Sequence, residues 1–189
     1  MMKSESNFYI CRAKQSFHQH TNNKKMAVDI KAPIEMFYKW EKELANKPFL
    51  RQPIGDTWEE YTWGEVGQMA RKLATGLQSL GLPPKSHIGL VSKNCREWVI
   101  ADLAITMAGY VSLPFYPTLK ADAIKELLEI GDCEAIFVGK IDDWKGMKAG
   151  IPTDMPMIRF PHYKGFSKIE EGEDWQEFMD KHEPLQGEP

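Results

Sequence analysis

Apolar residues occur along this chain in two alternating kinds of run. Some recur every three or four positions and others are contiguous over four or five. The first periodic run opens at Pro33, which suits a first helical turn, and continues through Met36, Phe37, Trp40 and Leu44 until Pro48 stops it. Residues 49–52 and 57–61 flank the turn-like Pro53, Ile54, Gly55 and Asp56 and predict a hairpin. Thr62 and Glu65 have the spacing of a capping box. Val66, Met69, Ala70, Leu73, Ala74, Leu77 and Leu80 then follow with helical period, and Gly81 supplies a left-handed stop.

After Pro83 and Pro84 the pattern repeats. Residues 88–91 read as a strand. Asn94 is placed to cap a helix, with Glu97 three residues on, and that helix runs through Trp98, Leu103 and Met107 to Gly109. A strand over 110–113, a loop written Pro-Phe-Tyr-Pro-Thr at 114–118, a helix from about Lys120 to Ile130 and a strand over 134–138 come next. A fourth strand over 157–160 and a short last helix around Trp175, Phe178 and Met179 complete the reading.

Apolar strands that alternate with helices of ten or more residues are what a parallel sheet covered on both faces requires. The expected fold class is α/β: a mostly parallel sheet with helices on both faces, preceded by a helix and a β-hairpin, with right-handed crossovers. Ligands of such sheets bind beyond the carboxyl ends of the strands, so residues 92–94, 114–118 and 139–143 form the expected functional rim. The apolar stretch over 98–115 is long enough to suggest a membrane span. Asp102 near its middle, and Gly109 and Pro114, divide it instead into a buried helix and a strand.

Composition agrees with one globular unit: 189 residues, 42% hydrophobic and 27% charged, enough to form a core without disulfides or structural metal. Cys11, Cys95 and Cys133 are odd in number and far apart, unlike a zinc site or a secreted disulfide framework, so a reducing, cytoplasmic setting is expected. The net charge of −3 is uneven. Residues 1–25 hold five bases against Glu5 alone and read as a flexible basic arm; residues 26–189 are then the α/β unit, with Met26 an alternative start. A body of net negative charge excludes nucleic acid as the expected partner. No signal peptide is expected, because Lys3 to Ser6 precede no sufficient apolar run. His18 and His20 lack a third ligand nearby, so no metal site is expected there.

Several motifs are absent: no G-x-G-x-x-G after a strand, no G-x-x-x-x-G-K-[ST], no G-x-S-x-G and no H-E-x-x-H. Without a glycine-rich loop the chain offers no evident cradle for a triphosphate. Ser92, Lys93 and Asn94 set a hydroxyl, an ammonium and an amide at a helix start. There they either favour an anion or simply cap the helix, leaving the lysine solvated. Phe115 and Tyr116, between Pro114 and Pro117, either wall one side of a tunnel or belong to the core. Lys140, Lys145 and Lys148 either meet a phosphate or form a solvated face diluted by Asp142 and Asp143. Glu59 and Glu60 would point to opposite faces of a strand and cannot act as an acid/base pair. Asp102 reads as a buried acid or as a helix edge meeting water.

Several blocks, in order, carry a resemblance. They are K-P-F-L-R with Y-T-W-G-E-V, then I-G-L-V-S-K-N-C-R-E-W, then D-L-A-I-T-M-A-G-Y-V-S-L-P-F-Y-P-T-L, then A-I-F-V-G-K. Over about residues 30–165 the chain resembles the beginning of long-chain fatty-acid CoA ligases, members of the adenylate-forming superfamily with luciferases and peptide-synthetase adenylation domains. The resemblance implies the first subdomain of that ligase fold. It also implies a two-step reaction in which a fatty-acid carboxylate attacks ATP, with Mg²⁺ present, to give acyl-AMP and pyrophosphate, and coenzyme A thiol then displaces AMP. The phosphate loop, adenylate-motif acid, ribose-binding aspartate and C-terminal lysine of the family all fall downstream of the resembling region. The expectation is therefore a chain truncated before the phosphate loop, with no catalytic residue carried over and no cofactor held by this chain alone; ATP, Mg²⁺ and coenzyme A belong to the full enzyme. By resemblance, Phe115, Tyr116, Pro117 and Thr118 border the acyl or pantetheine channel, and Lys140, Lys145 and Lys148 are candidates for the coenzyme's phosphates. Expected partners are fatty acid, coenzyme A and the remainder of the ligase chain. Self-association through apolar surface, and peripheral contact of the basic arm with the inner membrane face, are further expectations. The alternative is a stand-alone non-catalytic α/β module that binds an acyl chain, nucleotide or protein partner.

Overall fold

The computed structural model describes residues 31–187, so the basic arm, its two histidines and Met26 lie outside the described residues. Helix α1 (Pro33–Leu44) has proline at its first position, and the Glu35 carboxylate reaches back to accept the Ala32 N–H at 2.7 Å. The hairpin β1 (Pro48–Ile54) and β2 (Thr57–Thr62) is antiparallel, with Ile54 opposite Thr57. The predicted four-residue turn thus narrows to Gly55 and Asp56, with Gly55 at φ +59° as so tight a reversal requires. Phe49 and Trp63 stack with centroids 3.9 Å apart, and Phe37 packs 5.6 Å from Trp63, fastening α1 to the hairpin base.

Helix α2 (Trp63–Ser79) begins with the predicted box: Thr62 Oγ1 accepts the Glu65 N–H at 3.2 Å, and the Glu65 carboxylate accepts the Thr62 N–H at 2.7 Å. Those bonds, the backbone one first, hold the Glu65 carboxyl below its ordinary range. Gly81 takes the expected positive φ.

The remaining elements are β3 (His87–Val91), α3 (Arg96–Met107), β4 (Val111–Phe115), α4 (Ala121–Ile130), β5 (Cys133–Val138), α5 (Trp144–Met147) with a 3₁₀ turn at Lys148–Gly150, β6 (Met157–Arg159), β7 (Glu173–Asp174) and α6 (Trp175–Asp180). The strands form a five-stranded sheet in the order β4-β3-β5-β6-β7, and every pairing is parallel. Side chains alternate as parallel strands demand. Ile88, Leu90, Ala135, Phe137 and Ile158 enter one apolar cluster with α1, α2, α3 and α6, while Val91, Ile136 and Val138 enter another with α4 and α5. Helices therefore cover both faces. Pro114 lies inside β4, one residue into what reads from sequence as loop. The position is tolerated because β4 is an edge strand, so the missing N–H breaks no ladder. The stretch 98–115 is a helix and a strand, and among the described residues no helix is long and apolar enough to cross a membrane.

Candidate functional site

Crevices in a parallel sheet open where the chains leaving neighbouring strands turn to opposite faces. Here β3 leads into α3 on one face, whereas its neighbours β4 and β5 lead into α4 and α5 on the other. The loops that follow β3, β4 and β5 are the three rim segments expected from sequence.

The β3 and β5 loops are bonded directly to each other. The Gly139 N–H donates to the Val91 carbonyl at 3.0 Å and the Lys93 N–H to the Lys140 carbonyl at 3.0 Å. Ser92, buried, accepts the Lys140 N–H on Oγ at 2.9 Å and donates to the Lys93 carbonyl at 2.7 Å. Gly139 has no room for a side chain, since a Cβ there would lie 2.2 Å from the Phe160 ring and 2.6 Å from Ser92 Oγ. Ser92 is thus a structural bridge. Lys93 pairs with Asp142 at 2.6 Å.

Asn94 is not the helix cap. The helix starts one residue later with Cys95 at the cap position, and Asn94 is exposed. The side chain that meets the free helix amide comes from elsewhere: Gln52 Oε1, buried on β1, accepts the Arg96 N–H at 3.3 Å. A cap supplied across 44 positions leaves no local spacing to read. Burial, then the nearby Glu97 charge, pushes the Cys95 thiol up to about 11, and burial, then the nearby Asp132 charge, does the same for Cys133. Neither is a thiolate at neutral pH.

In the β4 loop the two aromatics part company. Phe115 packs against the α4-side cluster, whereas Tyr116 is 80% exposed; Pro117 is half-buried and Thr118 exposed. The three candidate lysines are not gathered either. Lys148 pairs with Glu171 at 2.8 Å and Lys145 is exposed. The Lys140 ammonium lies 5.0 Å from the Tyr163 ring centroid and 4.8 Å from that of Phe166. Hydrogen bonds from Lys148 and then from the Trp144 indole hold the Glu171 carboxyl down at about 2. Asp143 caps α5 through the Gly146 N–H and pairs with Lys120 at 2.5 Å, and its carboxyl is held below the ordinary range by Lys120 first. Asp102 is half-buried on the edge of α3. Glu59 and Glu60 do diverge: one meets Arg96 at 2.6 Å, the other Arg51 at 2.5 Å.

Sequence reasoning misses the charged cluster at the start of α3. Glu97 is 2% exposed, and its carboxylate accepts Arg96 Nε at 3.0 Å and the Tyr163 hydroxyl. Arg96 also donates to Glu59 at 2.6 Å and stacks 4.2 Å from the Tyr61 ring centroid. Burial alone would lower the Arg96 pKa, but the hydrogen bonds to Glu59 and Glu97 outweigh it and hold the pKa above its usual value. Burial, then the bond to Glu97, pushes the Tyr163 hydroxyl far up. The hairpin, α3 and the loop after β6 are thereby tied at one point. The sequence signal is a carboxylate at the second position of α3, read there only as lying three residues after the expected Asn94 cap. Among the described residues no three His, Cys, Asp or Glu side chains gather as a metal site. A larger cavity, about 850 Å³, lies among α1, α2 and α6, away from the loops that follow β3, β4 and β5.

Against known proteins, the family model described as "AMP-binding enzyme" matches residues 37–184. The long chain acyl-CoA synthetase 6, peroxisomal, of Arabidopsis thaliana is 38% identical over 106 residues, which is 56% of this chain and 15% of that protein. The long-chain-fatty-acid–CoA ligase FadD15 of Mycobacterium bovis is 27% identical over 124 residues, 66% of this chain and 20% of that one. The acetoacetyl-CoA synthetase of Streptomyces lividans shares the fold with a TM-score of 0.69 at 19% identity, covering 82% of this chain and 26% of its own. The anthranilate CoA ligase AuaEII, solved in complex with anthranoyl-AMP, matches with a TM-score of 0.68 at 16% identity, covering 82% and 29%. The match thus spans about a fifth or less of the length of these curated relatives and under a third of the two solved structures.

Proposed function

This chain belongs to the AMP-binding enzyme family, and on that premise we propose that it forms the N-terminal α/β portion of an ATP-dependent long-chain fatty-acid CoA ligase. The observation that carries the reading is the 38% identity to a long chain acyl-CoA synthetase over 106 residues, 56% of this chain. In the proposed reaction a fatty-acid carboxylate becomes an acyl-AMP and then an acyl-CoA. The acid needs this activation because a carboxylate is a poor acyl donor and the mixed anhydride carries a good leaving group. Because the phosphate loop and adenylate motif of the family fall downstream of the resembling region, no step through ATP or Mg²⁺ is assigned to the described residues. Their part is to shape the rim. Tyr116, Pro117 and Thr118 would border the acyl or pantetheine channel with the half-buried Phe115 as their footing, and Lys145 would face the coenzyme's phosphates. Ser92, Lys93 and Asn94 would act as scaffold and not as ligands. Membrane contact and self-association form no part of this proposal.

The test is a chimera in which residues 31–187 replace the matching segment of a long-chain acyl-CoA synthetase, assayed for fatty-acid-dependent pyrophosphate exchange beside the 189-residue chain alone. The expected result is exchange by the chimera and none by the chain alone. A folded chimera without exchange would overturn the ligase reading in favour of a non-catalytic binding module. Turnover by the chain alone would overturn the assignment of the catalytic groups to other segments.

A further inference from the structure

Between α5 with its 3₁₀ turn and the start of β6 lies a cavity of about 400 Å³, on the α4 and α5 side of the sheet. None of the rim residues 92–94, 114–118 or 139–143 lines it. Trp144 and Ile151, both buried, and the half-buried Met155 and Met157 give it an apolar lining. The end of the loop after β6 contributes Glu171 and Gly172. Gly172 has φ +74°, and a Cβ there would lie 2.6 Å from the Met157 carbonyl oxygen, so only glycine lets this wall come so close to β6. The Arg159 guanidinium donates to the Gly172 carbonyl and fixes the wall in place.

The charges at this cavity cancel. Glu171 is ionised at neutral pH, because hydrogen bonds from Lys148 and then from Trp144 hold its carboxyl down at about 2. One of its oxygens accepts the Lys148 ammonium at 2.8 Å; the other accepts the Trp144 indole N–H at 2.7 Å and the Glu170 N–H at 3.2 Å. The carboxylate and the indole are thereby spent. The Lys148 ammonium bonds to Glu171 alone among the described residues and keeps donors to spare. An anion brought to Lys148 would lie against Glu171, and a cation brought to Glu171 would lie against Lys148. A neutral acceptor avoids both repulsions. The two thioethers are flexible and polarizable, and such groups pack favourably against aromatic rings.

We propose that this cavity binds a compact neutral aromatic molecule bearing one hydrogen-bond acceptor, such as an aryl ketone, with its ring among Ile151, Met155 and Met157 and its acceptor on Lys148. The cavity falls within the size range of small-molecule sites, about 300–1,000 Å³. The wall is held before any ligand arrives, by the Glu171 bonds on one side and the Arg159 bond on the other, so little ordering is left to oppose binding. The site does not rest on the ligase reading. Its ligand has neither a carboxylate to activate nor a phosphate, and Lys148 meets it as one half of an ion pair.

The test is an NMR titration of the whole chain, isotope-labelled at its methionine methyl groups, with 2-acetonaphthone and in parallel with its anionic counterpart 2-naphthoate. Saturable shifts of the Met155 and Met157 methyl signals are expected with the ketone, and weaker binding with the anion. Lys148→Met should weaken ketone binding roughly tenfold through loss of one charge-assisted hydrogen bond, whereas Lys148→Arg, which keeps a donor and the pair with Glu171, should restore it. Thr153→Trp, at an exposed lining position, should fill the cavity and abolish the shifts while circular dichroism stays unchanged. No saturable shift with the ketone, shifts that persist in the Thr153 variant, or 2-naphthoate binding as tightly as the ketone overturns the proposal. Methyl shifts that depend on protein concentration without ligand also overturn it, since a second copy of the chain would then cover the cavity. Pyrophosphate exchange by the chimera bears on the ligase reading alone, and these shifts bear on the cavity alone.

Discussion

Replacing Glu97 with alanine is expected to cost the fold about 3 kcal/mol, because it removes two charge-assisted hydrogen bonds from a nearly inaccessible site. The carboxylate is 2% exposed and accepts from Arg96 Nε and the Tyr163 hydroxyl. Each such bond is worth about 1.5–3 kcal/mol, and stranding one partner of a buried ion pair costs about 3–5. The lower end applies because Arg96 keeps Glu59 at 2.6 Å and the Tyr61 ring, so its charge is not abandoned. Tyr163→Phe removes one bond and should cost about 1.5 kcal/mol. In the double variant that bond is lost only once, so the combined cost should fall short of the sum by about 1.5 kcal/mol. Urea unfolding of the four proteins, followed by circular dichroism and tryptophan fluorescence, measures all three quantities. The melting temperature of the Glu97 variant should drop by about 6–12 °C at roughly 2–4 °C per kcal/mol. Strictly additive costs, or a Glu97→Ala penalty under about 1 kcal/mol, would refute the claim that this cluster ties the hairpin to the rim.

Glu171 has its carboxyl held at about 2 against an ordinary 4.5, so its contribution to stability is complete above pH 4.5 and disappears as pH falls through 2. Carboxyl resonances followed by NMR should show that low midpoint, and Lys148→Met should move it up; an unmoved midpoint would contradict the Lys148 bond as its main cause. Gly139→Ala drives a methyl into Phe160 and Ser92 Oγ, and should destabilise by about 1–3 kcal/mol while loosening the Lys140 amide, read as faster hydrogen exchange there.

What the sequence discloses is what local chemistry decides. The Thr62 and Glu65 box and the left-handed Gly81 are contained within a few residues, and both are found as read. The sheet is legible because strands buried on two faces have no polar side. Contacts supplied from a distance are not legible. Asn94 has the right residue type for a cap, yet Gln52 from the hairpin meets the amide, and Cys95 occupies the cap position. Strand β7 is two residues long and α5 four, too short for any period to show. The three lysines after β5 look equivalent in sequence. Only the folded chain shows that Glu171 occupies Lys148 while aromatic rings hold Lys140. Tyr163 and Glu97 meet across 66 positions, a pairing that no spacing rule anticipates.

Strand β3 is the first strand of the large sheet along the chain, yet it lies between β4 and β5. As synthesis proceeds, its second neighbour is not available until Val138 has emerged, since Val91 pairs with Val138 at the end of that ladder. Until then Ile88, Leu90 and Val91, all fully buried in the folded chain, belong to a strand with one unpaired edge. Loop closure over more than forty residues sets the pace of assembly, and a nascent chain halted before β5 presents an open strand to its neighbours. Any truncation series that seeks a smaller folding unit has to keep β5, however far from the amino terminus it starts.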